Sequence, residues 1–216
     1  MFIGHFAVAF AAKRLSPTTS LGTLFAASQL VDLLWPLFLL LGVEHVRVAP
    51  GITAVTPLDF YDYPITHSLV GSVLWSVLFA GLVFWRGRNT HAAIVVGCVT
   101  MSHWILDLIM HRPDLPLLGS SSTKVGLGVW NSFPLTLMIE MGLFVAGVVV
   151  YMRATAPDDK IGRWGLFALI AFLVTIYAAN VFGPPPPSEQ MIAIAGNATW
   201  IIVLWGWWID RHRHSL

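Results

Sequence analysis

The stretch SHWILDLIMH, residues 102–111, spaces His103, Asp107 and His111 four residues apart in an otherwise apolar segment. Residues at this spacing share one face of a helix. Ionisable groups inside a bilayer are costly and mark functional sites by default. Neutral imidazole nitrogens with a carboxylate form the ligand set of catalytic zinc, which keeps a position open for water or substrate. A mixed His/Asp set also suits manganese or iron. The chemistry to look for is therefore metal binding in a membrane, with a divalent ion, zinc first, as the expected cofactor.

Composition supports the membrane setting. Of 216 residues 56% are hydrophobic and 11% charged, against roughly 25% charged in a soluble domain. A net charge of +1 and the lack of a basic run before the tail argue against a nucleic-acid partner. The single cysteine, Cys98, excludes a disulfide framework and a thiolate zinc site and reads as buried packing.

A hydrocarbon core about 30 Å thick needs roughly 20 apolar residues per helix. Spans are predicted near residues 20–41, 66–85, 89–110, 133–152, 162–182 and 191–208. Residues 2–14 form a shorter apolar segment, read as a half helix tucked against the bundle. The expected fold is an all-α integral membrane protein, one domain over 1–216, with the metal-site region in 1–132 and further helices over 133–210. Lys13, Arg14, Arg86, Arg88, Arg153, Lys160, Arg163, Arg211 and Arg213 fall on one side, and Arg47, Arg112 and Lys124 on the other. By the positive-inside rule the larger set, with the C-terminus, is cytoplasmic, and the loops 42–65 and 111–132 face outward. Trp85, Trp130 and Trp205 to Trp208 suit interfacial anchors.

Antiparallel hairpins convert distance from a turn into depth. His5 and Asp32 lie about equally far from a turn near residue 18 or 19, and His67 and Asp107 each lie twenty residues from a turn near 87. His103 joins Asp107 on one face. Five candidate ligands, His5, Asp32, His67, His103 and Asp107, thus converge in the outer half of the membrane. Pro36 has no N–H for the carbonyl of Asp32, which predicts a kink and a small polar cavity beside that acid. Glu140 falls near the depth of His103 as a general base or outer-shell partner. Asp32 is a second proton acceptor.

Several residues admit a structural and a chemical role. Ser68 can cap or pack its helix, with Asp62 and Thr66 as competing caps, or act as a nucleophile. His111 can join the site or mark a helix end, where a cation suits the dipole. His45 and His91 read as solvated. His212 and His214 in the RHRH tail read as contacts to lipid headgroups. Asp59, Asp62 and Asp114 belong to the outer loops and can shape access.

The combination of THSL at 66–69, SHWILDLI at 102–109, the early His5 and VD at 31–32 resembles the YdjM-like family of membrane-bound metal-dependent hydrolases. The resemblance covers roughly residues 1–132. It implies a metal site at His5, Asp32, His67, His103 and Asp107, the set that depth matching selects. Leu34 stands where that family often has a second acid, and YPITHS lacks the basic and glycine residues that commonly precede its Thr-His-Ser. Both departures argue against a pair of metals.

The resulting expectation is a hydrolase of a bacterial-type inner membrane, acting near the outer leaflet on a lipid or lipid-linked ester or phosphoester. A transporter or proton and ion relay is the competing reading, since membrane acids and histidines also build ion paths. A noncatalytic scaffold is the third. Hydrogen bonds between membrane helices contribute only about 0.6 kcal/mol on average, a poor return for five ionisable groups.

Overall fold

The computed structural model describes residues 1–216. Its helices are α1 (Ile3–Leu15), α2 (Leu21–Ser28), α3 (Leu30–Leu40), α4 (Pro64–His67), α5 (Leu69–Gly87), α6 (Thr90–Met110), α7 (Phe133–Ala154), α8 (Lys160–Phe182), α9 (Glu189–Asn197) and α10 (Thr199–Asp210). Five stretches are long and apolar enough to cross a membrane: α5, α6, α7, α8 and α9 with α10. The bent pair of α2 and α3 makes a sixth if it counts as one span. Local signals set these boundaries. Ser20, Ser68, Asn89, Asp159 and Ser188 each accept a backbone N–H as N-caps of α2, α5, α6, α8 and α9.

The bend between α2 and α3 is 58° and lies at Gln29, not at Pro36. Pro36 is accommodated within α3, whereas Gln29, at φ −109° and ψ 6°, leaves helical geometry. The expected kink site is thus corrected by seven residues. The span predicted from 66 also begins later. Ser68 adopts extended geometry (φ −69°, ψ 156°) between α4 and α5 and separates His67 from the long helix.

At about 1.5 Å per residue the 13 residues of α1 reach only some 20 Å, too short to cross. The helix is not tucked against the bundle but runs through its middle, packed on α2, α6, α7 and α8. Nine of its 13 residues are buried, and the exposed ones, Arg14 and Leu15, lie at its C-terminal end. Phe10 makes edge-on ring contacts with Phe25, Phe144 and Tyr151. Gly147 of α7 permits the close approach, because a side chain there would collide with the backbone of Ala7.

The segments between helices are more ordered than plain loops. β1 (His45–Val48) pairs with β2 (Leu58–Asp62), and β3 (Leu115–Pro116) with β4 (Lys124–Val125), both antiparallel. They cover a second apolar cluster of Trp35, Phe60, Tyr63, Met110, Leu115 and Trp130. Trp130 is buried against the His111 ring, 4.2 Å between centroids, rather than serving as an interfacial anchor. The tail is also corrected: β6 (Arg213–Ser215) pairs with β5 (Thr155–Pro157), with His212 bonded to Asp159 and His214 to Asp158. Cys98 is exposed on α6 instead of buried.

Candidate metal centre

The four elements that depth matching selected do converge. α6 carries His103 and Asp107, α4 carries His67, α3 carries Asp32 just past the bend, and α1 brings His5 into their midst. Two triads bring one ligand atom from each residue within 4.8 Å of one another: His5, His103 and Asp107, and Asp32, His67 and His103. The side chains of His5, His67, His103 and Asp107 are buried, whereas that of Asp32 is 30% exposed.

Hydrogen bonds outside the cluster determine which ring nitrogens face it. Nδ1 of His103 lies 2.7 Å from the carbonyl of Ser28, which can only accept, so Nδ1 carries the proton. This carbonyl lies at the bend, where the chain leaves helical geometry. His67 is fixed through one intermediary. The Thr66 hydroxyl donates to Glu44 Oε2 at 2.7 Å and so must accept from His67 Nδ1, also at 2.7 Å. Both imidazoles therefore turn an unprotonated Nε2 inward. A ligand histidine commonly has such an arrangement, with its other N–H given to a carbonyl, carboxylate or water.

The inward nitrogens meet carboxylate oxygens, not donors. His67 Nε2 is 3.2 Å from Asp32 Oδ1 and 4.0 Å from Asp107 Oδ2. His103 Nε2 is 3.7 Å from Asp32 Oδ1 and 3.1 Å from Asp107 Oδ2. Nε2 of His103 is buried without an aligned hydrogen-bond partner, despite the nearby oxygen. Lone pairs facing one another at such distances call for a cation or protons between them. With zinc bonds of about 2.0–2.1 Å, the edges of a tetrahedron measure about 3.3–3.4 Å. The four separations bracket that length, and the groups able to hold a small divalent ion are the two triads, Asp32, His67 and His103 on one side and His5, His103 and Asp107 on the other.

His5 occupies a different position. Its ring stacks on that of His103, with centroids 3.7 Å and planes 4° apart, so no point within bonding reach lies in both ring planes. Its Nε2 faces the other oxygen, Asp107 Oδ1, at 3.1 Å and donates to it, and Nδ1 is unpartnered. Asp107 Oδ1 also accepts from the Met1 amino group at 2.8 Å. His5 thus meets Asp107 on the oxygen that His103 does not face, and with His103 and Asp107 it makes up the first of the two triads.

The remaining candidates separate by contact. Glu140 Oε2 accepts the Phe2 and Gly4 backbone N–H groups at 3.0 and 3.3 Å and so anchors the start of α1. The Ser68 hydroxyl caps α5 through Gly71 N at 2.9 Å. His111 donates from Nδ1 to Asp114 Oδ1 at 2.9 Å and leaves its Nε2 3.9 Å from Asp107 Oδ1. Asp114 continues to Arg112, which bonds Asp59, itself paired with Arg47 at 3.2 Å. Tyr63 also donates to Asp114, and burial pushes its phenol well above the usual range, so it keeps its proton at neutral pH. Asp62 belongs to the rim, held below the ordinary carboxylate range first by the Ser120 hydroxyl; it also bonds His45. His91 is exposed and bonds the Leu15 carbonyl.

The sequence reading missed Glu44 and the Ser28 carbonyl. Glu44 is a lone acid at the end of an apolar span, a visible signal, but its target lies beyond a hairpin. The polar pair Ser28-Gln29 in an apolar run is the corresponding mark of the bend. Comparison with family models, curated proteins and solved structures returns no match.

Proposed function

We propose that the protein is a membrane-embedded metal-dependent hydrolase, with Asp32, His67, His103 and Asp107 as ligands. The observation that carries this reading is the pair of imidazoles fixed from outside so that both lone pairs meet carboxylate oxygens. A divalent ion held there supplies a Lewis acid that polarises a scissile carbonyl or phosphoryl group and lowers the pKa of water toward neutrality. Zinc fits the donor set, and manganese or iron are compatible with it.

The chain's own residues supply access and proton handling. Asp32 turns only Oδ1 to the imidazoles and is the partly open member of the group. Its second oxygen is thereby free to accept a proton from attacking water. His5 holds Asp107 in register, and Glu140 holds the segment that carries His5. Asp107 and His103 lie three and seven residues before the end of α6, and Asp32 eight before the end of α3. At about 1.5 Å per residue the cluster sits roughly 5–12 Å inside these helix ends. With the lysine- and arginine-rich side in the cytoplasm, that depth belongs to the ester region of the outer leaflet. A lipid or lipid-linked ester or phosphoester is the substrate class that reaches it, and the resemblance carried by THSL and SHWILDLI agrees with hydrolysis.

A proton relay is the second reading. It is favoured by the buried sequence of titratable groups from Asp107 to His111, 3.9 Å away, and on to Asp114 at 2.9 Å, which leads toward the loops. Metal content separates the two. Protein purified without a metal-affinity tag is expected to carry near-stoichiometric metal that His103→Ala loses, and the loaded protein is expected to cleave lipid esters in nanodiscs. Folded protein that takes up no metal on reloading would sink the hydrolase reading.

A further inference from the structure

The second face of the His67 imidazole is controlled by a residue outside the cluster. Glu44 follows α3 and is buried at 1% exposure, unusual for a carboxylate at a loop. Its Oε1 accepts the backbone N–H groups of Ile65 and Thr66 at 2.7 and 2.8 Å, and its Oε2 accepts the Thr66 hydroxyl at 2.7 Å. We infer that Glu44 is a positioning residue which, through Thr66, sets the tautomer of His67 and so keeps its Nε2 free to bind metal. The inference rests on the metal-centre reading above for its purpose, but the relay itself is a property of the protein alone.

The direction of the relay follows from counting protons. An ionised carboxylate only accepts, and a hydroxyl has one proton to give. Glu44 therefore accepts the hydrogen bond of the Thr66 hydroxyl and leaves the hydroxyl oxygen to accept from Nδ1–H of His67. The usual carboxylate–histidine arrangement around a metal is reproduced with a threonine interposed. The same carboxylate also holds the first turn of α4 against the end of α3, so one group fixes both the position of His67 and its protonation pattern.

Glu44→Gln separates these two roles. Two backbone donors hold the amide oxygen at the Oε1 position, which leaves the amide nitrogen facing Thr66. That nitrogen donates, so the Thr66 hydroxyl reverses and gives its proton to His67 Nδ1. The imidazole then carries its proton on Nε2, facing the carboxylates. Capping of α4 is retained while the ligand nitrogen is blocked.

The test is nitrogen NMR of metal-free protein carrying 15N-histidine, with the His67 signals identified by their loss in His67→Ala, together with zinc affinity from chelator competition. Wild type is expected to show His67 protonated on Nδ1 and Glu44→Gln on Nε2, with zinc binding weakened about 10–100-fold. Thr66→Val is expected to lose the Nδ1 pattern and Thr66→Ser to keep it, which maintains the test if Glu44→Gln fails to fold. A wild-type His67 protonated on Nε2, or a Glu44→Gln protein whose His67 pattern is unchanged, would overturn the relay. If the pattern reverses as expected but wild type binds no zinc, the relay stands and the metal-centre reading falls.

Discussion

Asp107→Asn alters one atom of the candidate centre and keeps its shape. In the wild-type protein Oδ1 of Asp107 accepts from the Met1 amino group at 2.8 Å and faces His5 Nε2 at 3.1 Å, whereas Oδ2 faces His103 Nε2 at 3.1 Å. The amide oxygen of asparagine stays with the Met1 donor, so the amide nitrogen turns to His103. There it donates to the unpartnered Nε2, satisfying the lone pair that a metal would use. Loss of a partner that merely supports a ligand lowers metal affinity about 10–100-fold, so loss of the ligand oxygen itself should weaken zinc binding by about a hundredfold or more. Chelator-stripped protein titrated with zinc against a chromophoric competitor measures the change, with circular dichroism confirming an intact helical fold. A folded Asp107→Asn protein that keeps stoichiometric zinc within about threefold of the wild-type affinity would refute the assignment of Oδ2 as a ligand.

Three further expectations address the frame around the centre. Ser68→Ala removes the N-cap of α5 and should lower stability by about 1 kcal/mol while metal content is unchanged; metal loss would show that Ser68 does more than cap. Lys13, buried in α1, bonds Asp210 at 2.9 Å and the Thr19 carbonyl at 3.0 Å. Lys13→Met should cost roughly 3 kcal/mol in thermal unfolding in detergent, with part recovered by adding Asp210→Asn, and an unchanged Tm would refute the pairing. Asp159 caps α8, and the Gly162 N–H, followed by His212, holds its carboxyl below the ordinary value of 3.8. Its folded-state pKa is depressed, so its stabilisation is present above that value and lost as pH falls through the lower folded value. Asp159→Ala should flatten this acid limb of the Tm profile and Asp159→Asn should keep the cap; an unaltered acid limb in Asp159→Ala would contradict the assignment.

The convergence of His5, Asp32, His67, His103 and Asp107 was legible because two short turns, near residues 18 and 87, make depth a matter of counting. Counting along a chain gives height but not direction around a helix, so the stacking of His5 on His103 was not legible. Residue types also carry no record of which backbone groups are free. Pro36 was the conspicuous helix breaker, yet the chain turns at Gln29, where polar Ser28 and Gln29 interrupt an apolar run. Glu44 and Thr66 are separated by a hairpin whose closure depends on β1 and β2 pairing. The RHRH tail read as lipid-facing because its partners, Asp158 and Asp159, lie on a different loop more than fifty residues away.

A common device underlies these misses. Inside a bilayer an interrupted helix leaves polar backbone groups without water, and such interruptions survive only where protein or a polar cavity satisfies them. Here the bend at Gln29 presents the Ser28 carbonyl to His103, and the short helix before Ser68 is held by Glu44, which also directs Thr66 to His67. Each break would be a liability in an uninterrupted apolar helix; the first is stabilised by the His103 imidazole that it orients, and the second by Glu44, which acts on His67 through Thr66. The two imidazoles consequently donate their outer hydrogen bonds to irregular points of the chain, whereas Asp107 and His103 keep their mutual spacing from the regular helix α6. Regular structure sets the distance within the pair on one helix, and the broken segments set the direction of the nitrogens. Straightening either break would therefore disturb the orientation of the centre before it disturbed the helical bundle around it.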